Sequence, residues 1–239
     1  MPVPPGARLP ALGYRGAVVT RIAGILLAAG DGTRLGQPKA TVELNGATLA
    51  ERGVALLRAG GADPVLVVTG AVRVTLTGVV TVPNEDWASG MGSSLVAGLR
   101  AAGADRAGAG GDGAVARGDA RGADGGPRVA AAVIALADQP LIGPEAVRRL
   151  IAAHAAGASV AVAAYDGKPR NPVLIAREHW PEVAAMAAGD AGARPFLRAH
   201  PDLITLVECG DTGSPDDIDT PEELDRVRAL TPPARPSGR

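Results

Sequence analysis

The chain has 239 residues and a net charge of −1; 46% of its residues are hydrophobic and only 2% aromatic. That length suits one large α/β domain, the balanced charge points away from nucleic acid and anionic membranes as partners, and no apolar run approaches the ~18 residues of a membrane span. The single cysteine, Cys209, excludes an internal disulfide and fits a reducing, cytoplasmic setting.

Residues 1–20 hold Pro2, Pro4, Pro5 and Pro10 among small residues and read as a loose, disordered leader. Arg15 and Arg21 precede an apolar run ending in Ala28-Ala29, in the manner of a signal peptide. The run is short, and cleavage there would remove a strand, so Ile22–Ala29 is read as a strand buried on both faces. A glycine-rich loop follows, with Gly30, Gly32 and Gly36, and with Arg34 and Lys39 as its cations. A loop at the carboxyl end of a parallel strand can aim several N–H groups at one anion, and two cations beside it suit a polyphosphate. A P-loop is excluded, because Lys39 follows Pro38 and precedes Ala40. A dinucleotide fingerprint is disfavoured too. Pro38 biases Gln37 away from helical angles, which predicts an extended loop as far as Lys39, and no acidic residue ends the next strand, Pro64–Thr69.

Asn45-Gly46 marks a turn, and Thr48 with Glu51 forms a capping box for a helix from Leu49 to about Arg58. Val79–Val82 is a third strand. The segment Asn84–Ser94 then leads into a helix that ends near Ala102, with Ser93 and Ser94 as natural N-caps. From Gly103 to Arg128 every residue except Val115 and Pro127 is Gly, Ala, Asp or Arg, which predicts a disordered insert at 103–128. Val129–Ala137 is the most apolar strand and belongs at the sheet centre, delivering Asp138-Gln139-Pro140 to the carboxyl edge where ligands of open α/β sheets bind. The next helix starts only at Pro144, so Asp138 is not its cap.

Ser159–Tyr165 reads as another strand, Gly167–Pro172 as a loop into Val173–Ala176, and Gly189–Arg194 as a turn between helices. Leu203–Glu208 is the last strand. Thr220, Pro221 and Glu223 then start a helix ending near Leu230, ahead of a disordered tail at 231–239. Asp217 and Asp219 are two apart in an extended segment, so their carboxylates share a side. The alternation of strand and helix predicts an α/β domain over 21–230 with a mainly parallel sheet. The histidines, His154, His179 and His200, lie outside any motif.

The loop L-A-A-G-x-G-x-R-x-G-x-P-K, Leu27 to Lys39, resembles the signature of nucleotidyltransferases that accept a nucleoside triphosphate and release pyrophosphate. Within them the chain is most similar to the MobA-like branch, which attaches CMP or GMP to the molybdenum cofactor. The resemblance implies a three-layer α/β/α, Rossmann-like fold of the nucleotide-diphospho-sugar transferase type. It implies that the nucleotide is bound by Leu27, Ala28, Ala29, Gly30, Gly32, Thr33, Arg34, Lys39, Thr69, Asn84, Ser93 and Ser94. Arg34, Lys39 and Asp138 would be catalytic. Mg²⁺ would be held by Asp138 and by Asp219 or Asp217. Asp190 and Arg194 resemble a segment facing the acceptor. Where the family tends to carry Gly-His-Pro, this chain has Arg170-Asn171-Pro172, a departure that touches any acceptor contact by Asn171.

In this branch Leu27-Ala28-Ala29-Gly30 and Asp138-Gln139-Pro140 look like the cytidylyl type, favouring CTP over GTP. The acceptor would be a molybdopterin-type phosphate, with a molybdenum enzyme as recipient of the product. Two other readings remain: a cytidylyltransferase for sugar phosphates or another small phosphate acceptor, and a non-catalytic accessory protein that binds a nucleotide or pterin.

Overall fold

The computed structural model describes residues 21–104 and 128–230. The expected leader, most of the expected insert and the expected tail (1–20, 105–127 and 231–239) lie outside the described residues. The first strand, β1 (Arg21–Ala28), is apolar along its length because helices cover both of its faces. Ile22, Leu26 and Ala28 enter one core, while Ala23, Ile25 and Leu27 enter the other.

After β1 come a two-strand hairpin, β2 (Glu43–Leu44) and β3 (Ala47–Thr48), then α1 (Leu49–Ala59) and the strands β4 (Val65–Thr69) and β5 (Val80–Pro83). Asn45 and Gly46 both have positive φ, as a tight hairpin turn requires. Helix α2 (Met91–Gly103) leads across the undescribed segment to β6 (Val129–Leu136), then α3 (Pro144–Ala155), β7 (Val160–Tyr165) and β8 (Lys168–Ala176). The chain continues with α4 (Trp180–Met186), α5 (Arg194–Ala199), β9 (Ile204–Glu208) and α6 (Pro221–Leu230).

The main sheet runs in the order β5-β4-β1-β6-β8-β7-β9, so the alanine-rich β6 is central as its composition predicts. β1 pairs in parallel with both β4 and β6, and β7 pairs in parallel with β9; β8 alone runs antiparallel, between β6 and β7. One apolar core lies between the sheet and α1 and α3, the other between the sheet and α2, α4 and α5. A third, smaller cluster joins Leu35, Val42, Leu44 and Leu49 to Ile218, Leu224 and Val227, clamping α6 against the short hairpin. The layers are therefore α/β/α. No helix among the described residues is long and apolar enough to cross a membrane.

Three expectations need correction. The segment after Gly32 is not extended to Lys39: one 3-10 turn spans Thr33–Leu35 and another begins at Lys39. Pro38 blocks an α-helix, yet single turns closed by i→i+3 bonds fit on both sides of it. Ser93 and Ser94 are not N-caps, because Gly90 caps α2 and both serines lie inside its first turn. Lys168–Pro172 is not a loop either. It is the outer half of β8, joined to β7 through Asp166-Gly167, whose positive φ angles make a two-residue hairpin turn.

Candidate active site

β1, β6 and β4 deliver their carboxyl ends to one edge of the sheet, and a cavity of about 590 Å³ opens there, a size usual for small-molecule sites. Its floor is the glycine loop. Gly32 has φ +63°, and a Cβ placed on it would lie 2.0 Å from the Gln37 carbonyl oxygen, so only glycine permits this turn. The Asp31 carboxylate accepts from Thr33 N–H at 3.2 Å, and Gly32 O accepts from Leu35 N–H at 2.8 Å. The N–H groups of Gly30, Asp31 and Gly32 have no protein acceptor among the described residues. The turn is thus closed by its own bonds while these donors stay available to an anion.

The cations face carboxylates. Lys39 Nζ donates to Asp138 Oδ2 at 2.6 Å and also to Asp219 Oδ1, and Arg34 Nη2 lies 2.8 Å from Asp219 Oδ2. Burial works against the Lys39 ammonium. The charge and hydrogen bond of Asp138, with those of Asp219, outweigh it and raise the lysine above its ordinary value. The hydrogen bond from Lys39 holds the Asp219 carboxyl below the ordinary aspartate range, with further help from Arg34.

Two strand-end segments are stapled to make this cluster. Ile218 N–H donates to Asp138 O at 2.8 Å, and Gln139 Nε2 donates to Asp217 Oδ1 at 2.7 Å and to Pro215 O at 2.9 Å. Burial, and then the Asp138 charge, push the Asp217 carboxyl up. Asp217 thus gives Oδ1 to Gln139 while Asp219 is the one paired with the cations; both line the cavity.

The remaining wall comes from Asn84–Ser94. Asn84 is buried; its Nδ2 donates to Ser93 Oγ at 2.9 Å and Ser94 Oγ at 3.0 Å, and its Oδ1 accepts from Asp86 N–H at 3.1 Å. That network presents Trp87, Ala88, Gly90, Met91 and Ser94 to the cavity.

Most residues singled out in the sequence meet here: Leu27, Ala28, Ala29, Gly30, Gly32, Thr33, Arg34, Lys39, Ser94, Asp138, Asp190, Arg194 and Asp219 all line the cavity. Thr69, Asn84 and Ser93 stand behind the wall. Thr69 O accepts from Asn84 N–H at 2.8 Å, so these residues position the loop. Asn171 is not among the lining residues; it lies at an irregularity in β8. Trp87 and Met91, which stand in the spacing N-x-x-W-x-x-G-M-x-S-S from Asn84 to Ser94, also line the cavity, as do Asp31 and Leu136, which no motif position marks. The three histidines and Cys209 do not line it.

A mainly parallel sheet thus brings a glycine loop, two cations and acidic residues together at one carboxyl edge, the arrangement expected of an α/β transferase for a phosphorylated substrate. The chain belongs to the family of the MobA-like NTP transferase domain, a nucleotidyltransferase family whose model matches residues 24–203. A nicotine blue oxidoreductase of Paenarthrobacter nicotinovorans is 36% identical over 220 residues, 86% of this chain and 96% of that protein. A probable molybdenum cofactor guanylyltransferase of Opitutus terrae is 40% identical over 89 residues, 37% of this chain and 44% of that protein. Among solved structures, a homologue of Rv0371c from Mycobacterium sp. strain JC1 is 28% identical with a TM-score of 0.69, covering 88% of this chain and 96% of its own. The fold is also that of the 2-C-methyl-D-erythritol 4-phosphate cytidylyltransferase of Thermus thermophilus, with TM-score 0.62, 18% identity and coverage of 88% and 98%.

Proposed function

We propose that the protein transfers a nucleotidyl group, CMP in preference to GMP, from a nucleoside triphosphate to the terminal phosphate of a molybdopterin-type cofactor, releasing pyrophosphate. The observation that carries this reading is the meeting of the donor-rich loop, Arg34 and Lys39 with Asp138 and Asp219 in one cavity. Two anions must approach each other in such a transfer, so the protein's work is positioning and charge neutralisation. The N–H groups of Gly30–Gly32 suit the triphosphate. Arg34, whose side chain is 71% exposed, is free to leave Asp219 for a phosphate oxygen. Lys39 lies deeper, at hand for the charge that develops on the departing pyrophosphate. The attacking acceptor phosphate is already anionic and needs no buried base, in keeping with histidines that lie elsewhere.

The residues also fit a divalent cation. Asp138 Oδ1 is buried and has no hydrogen-bond partner among the described residues, and its other oxygen converges with Asp219 on one ammonium. Such an all-oxygen donor set suits Mg²⁺, held by Asp138 and Asp219. When bound, Mg²⁺ would neutralise phosphate oxygens and stabilise charge on the leaving group. Asp190 and Arg194, on the wall facing the phosphate loop, are the residues available to the acceptor, whereas Asn171 is not. The product would pass to a molybdenum enzyme, and the reaction would take place in the cytoplasm.

A second reading comes from the similarity to a nicotine blue oxidoreductase: redox chemistry. Against the dinucleotide-fingerprint form of it, no helix starts within the glycine run, where this chain has 3-10 turns. Incubation with CTP or GTP, Mg²⁺ and a molybdopterin acceptor separates the readings. Acceptor-dependent pyrophosphate release is expected. Oxidation of NADH or NADPH with a dye acceptor, and no pyrophosphate release, would replace nucleotidyl transfer with redox chemistry. Tight nucleotide binding with neither activity would leave the accessory role.

A further inference from the structure

Trp87 has no role in the phosphate chemistry above, yet its setting is unusual for this chain. Among the described residues Tyr165, Trp180 and Phe196 are buried in the cores, and Trp180 Nε1 donates to Ile175 O. Trp87 is the one described Phe, Tyr or Trp side chain left partly exposed, and it lines the cavity. Leaving an indole partly exposed forgoes burial that a chain with so few aromatics would otherwise use.

Its place is fixed from below and from behind. A Cβ built on Gly70 would lie 2.4 Å from Trp87 Cβ and 2.6 Å from its Cγ, so the indole stem rests directly on glycine backbone at the end of β4. The same position is 2.8 Å from Ala29 Cβ, which brings Ala29 and Trp87 together over Gly70 as adjoining parts of one wall. Behind Trp87, Asn84 and Ser93 tie down Asp86: its N–H donates to Asn84 Oδ1, and its carbonyl accepts from Ser93 Oγ at 2.8 Å.

Resting on the nucleotidyltransferase reading, we propose that Trp87 is the platform on which the base of the nucleoside triphosphate stacks, a binding residue beside the phosphate loop that serves any base. Stacking is available to every base because each has a π-face, so the indole supplies affinity while the Ala29 methyl limits the size of what enters. The proximity to Ala29, at the start of the phosphate loop, assigns the platform to the nucleotide. Asp190 adjoins the same segment further along, where a Cβ on Gly90 would lie 2.8 Å from its Oδ1, so the assignment rests on the closeness to Ala29 and is tested against the acceptor below.

The test uses the full chain and its Trp87→Ala and Trp87→Phe variants, with CTP, GTP and inorganic tripolyphosphate as probes. Trp87→Ala should weaken binding of both nucleotides by about 5- to 100-fold. Tripolyphosphate, which has no base, should bind all three proteins within about twofold and so report an intact fold. Trp87→Phe keeps an aromatic face and should recover most of the nucleotide affinity. Wild-type indole fluorescence should be quenched by CTP but not by tripolyphosphate, and the quench should be absent in Trp87→Phe, which retains only the core Trp180. Unchanged nucleotide affinity in Trp87→Ala, with wild-type binding intact, overturns this inference alone. An equal loss for tripolyphosphate makes the role structural and overturns it as well. A rise confined to the KM of the pterin acceptor moves the platform to the other substrate and overturns the assignment to the base. If the wild-type chain binds no nucleoside triphosphate, the transferase reading fails first and this one with it.

Discussion

Lys39 serves two purposes that pull in opposite directions, and its variants should separate them. In the resting site it neutralises Asp138 and Asp219; during transfer it is proposed to meet phosphate oxygens. Removing it leaves Asp138 without its cation and Asp219 with Arg34 alone. Lys39→Ala should therefore lower stability at pH 7 by about 1–3 kcal/mol in urea unfolding, and should cut turnover as well. The pH dependence follows from the directions of the shifts. The raised lysine contributes stability that is complete below its unfolded value near ~10.4 and is lost as pH rises through its folded value. The lowered Asp219 contributes stability present above its unfolded value near ~3.9 and lost as pH falls through its folded value. The gap between wild type and Lys39→Ala should thus be widest from about pH 5 to 9 and shrink below about pH 4. A gap that persists unchanged at pH 3 would show that the ion pairs contribute nothing. Asp138→Asn tests the other side of the pair. With nearly the same shape but no charge, it should cut Mg²⁺-dependent turnover about 100-fold or more, and near-normal activity would remove Asp138 from the metal site.

At the scale of elements, the parts fixed by neighbours in sequence are the parts that sequence reasoning reached. The capping box at Thr48 and Glu51 is present in full: Thr48 N–H donates to Glu51 Oε2 at 2.7 Å, and Glu51 N–H donates to Thr48 Oγ1 at 3.2 Å. Thr48→Ala should cost about 1 kcal/mol of stability and leave turnover at 25 °C unchanged, because α1 lies outside the cavity. No change in the unfolding midpoint would mean that the cap contributes nothing in this context. The box at Thr220 and Glu223 was legible for the same reason, since every bond in it spans three or four residues. Ser93 and Ser94 were misread because long-range geometry decided their role: Asn84, nine and ten residues away, takes both hydroxyls, and Gly90 begins the helix. β8 was half missed because Pro169, Pro172 and the charges around them break a strand pattern. The signal that would have found it was present in Asp166-Gly167, a hairpin dipeptide between two apolar runs. Trp87 carried no mark beyond its place in a motif. Its exposure becomes visible only when the other described aromatics are seen in the cores.

For the whole molecule, the site is a property of the sheet order. β1 lies between β4 and β6, so its loop meets the Trp87 wall on one side and Asp138 on the other, while Asp219 returns from the far end of the chain. This is the carboxyl-edge placement general to open α/β sheets, which is why the place of Asp138 at this edge was legible from its strand, while its proposed role came from the resemblance. The proposed base preference belongs to this level too, since Ala29 is on β1's loop, Gly70 follows β4, and Trp87 follows β5. Ala29 is only 7% exposed, and its methyl faces the Gly70 backbone and the indole stem. On the proposed reading, that methyl sets how close the indole stem and the Gly70 backbone stand to β1, and so the depth left for a base, a limit that a pyrimidine would tolerate better than a purine. One methyl in a pocket discriminates by about 1–3 kcal/mol, so the preference is graded. In a mixture of equal CTP and GTP, the wild-type protein should incorporate mainly CMP. Ala29→Gly should move the product ratio towards GMP by roughly tenfold. Trp87→Phe, which keeps the aromatic face, should leave that ratio nearly where it was. Preferential GMP incorporation by the wild type, or an Ala29→Gly ratio that does not move, would show that the base is selected by some other part of the cavity.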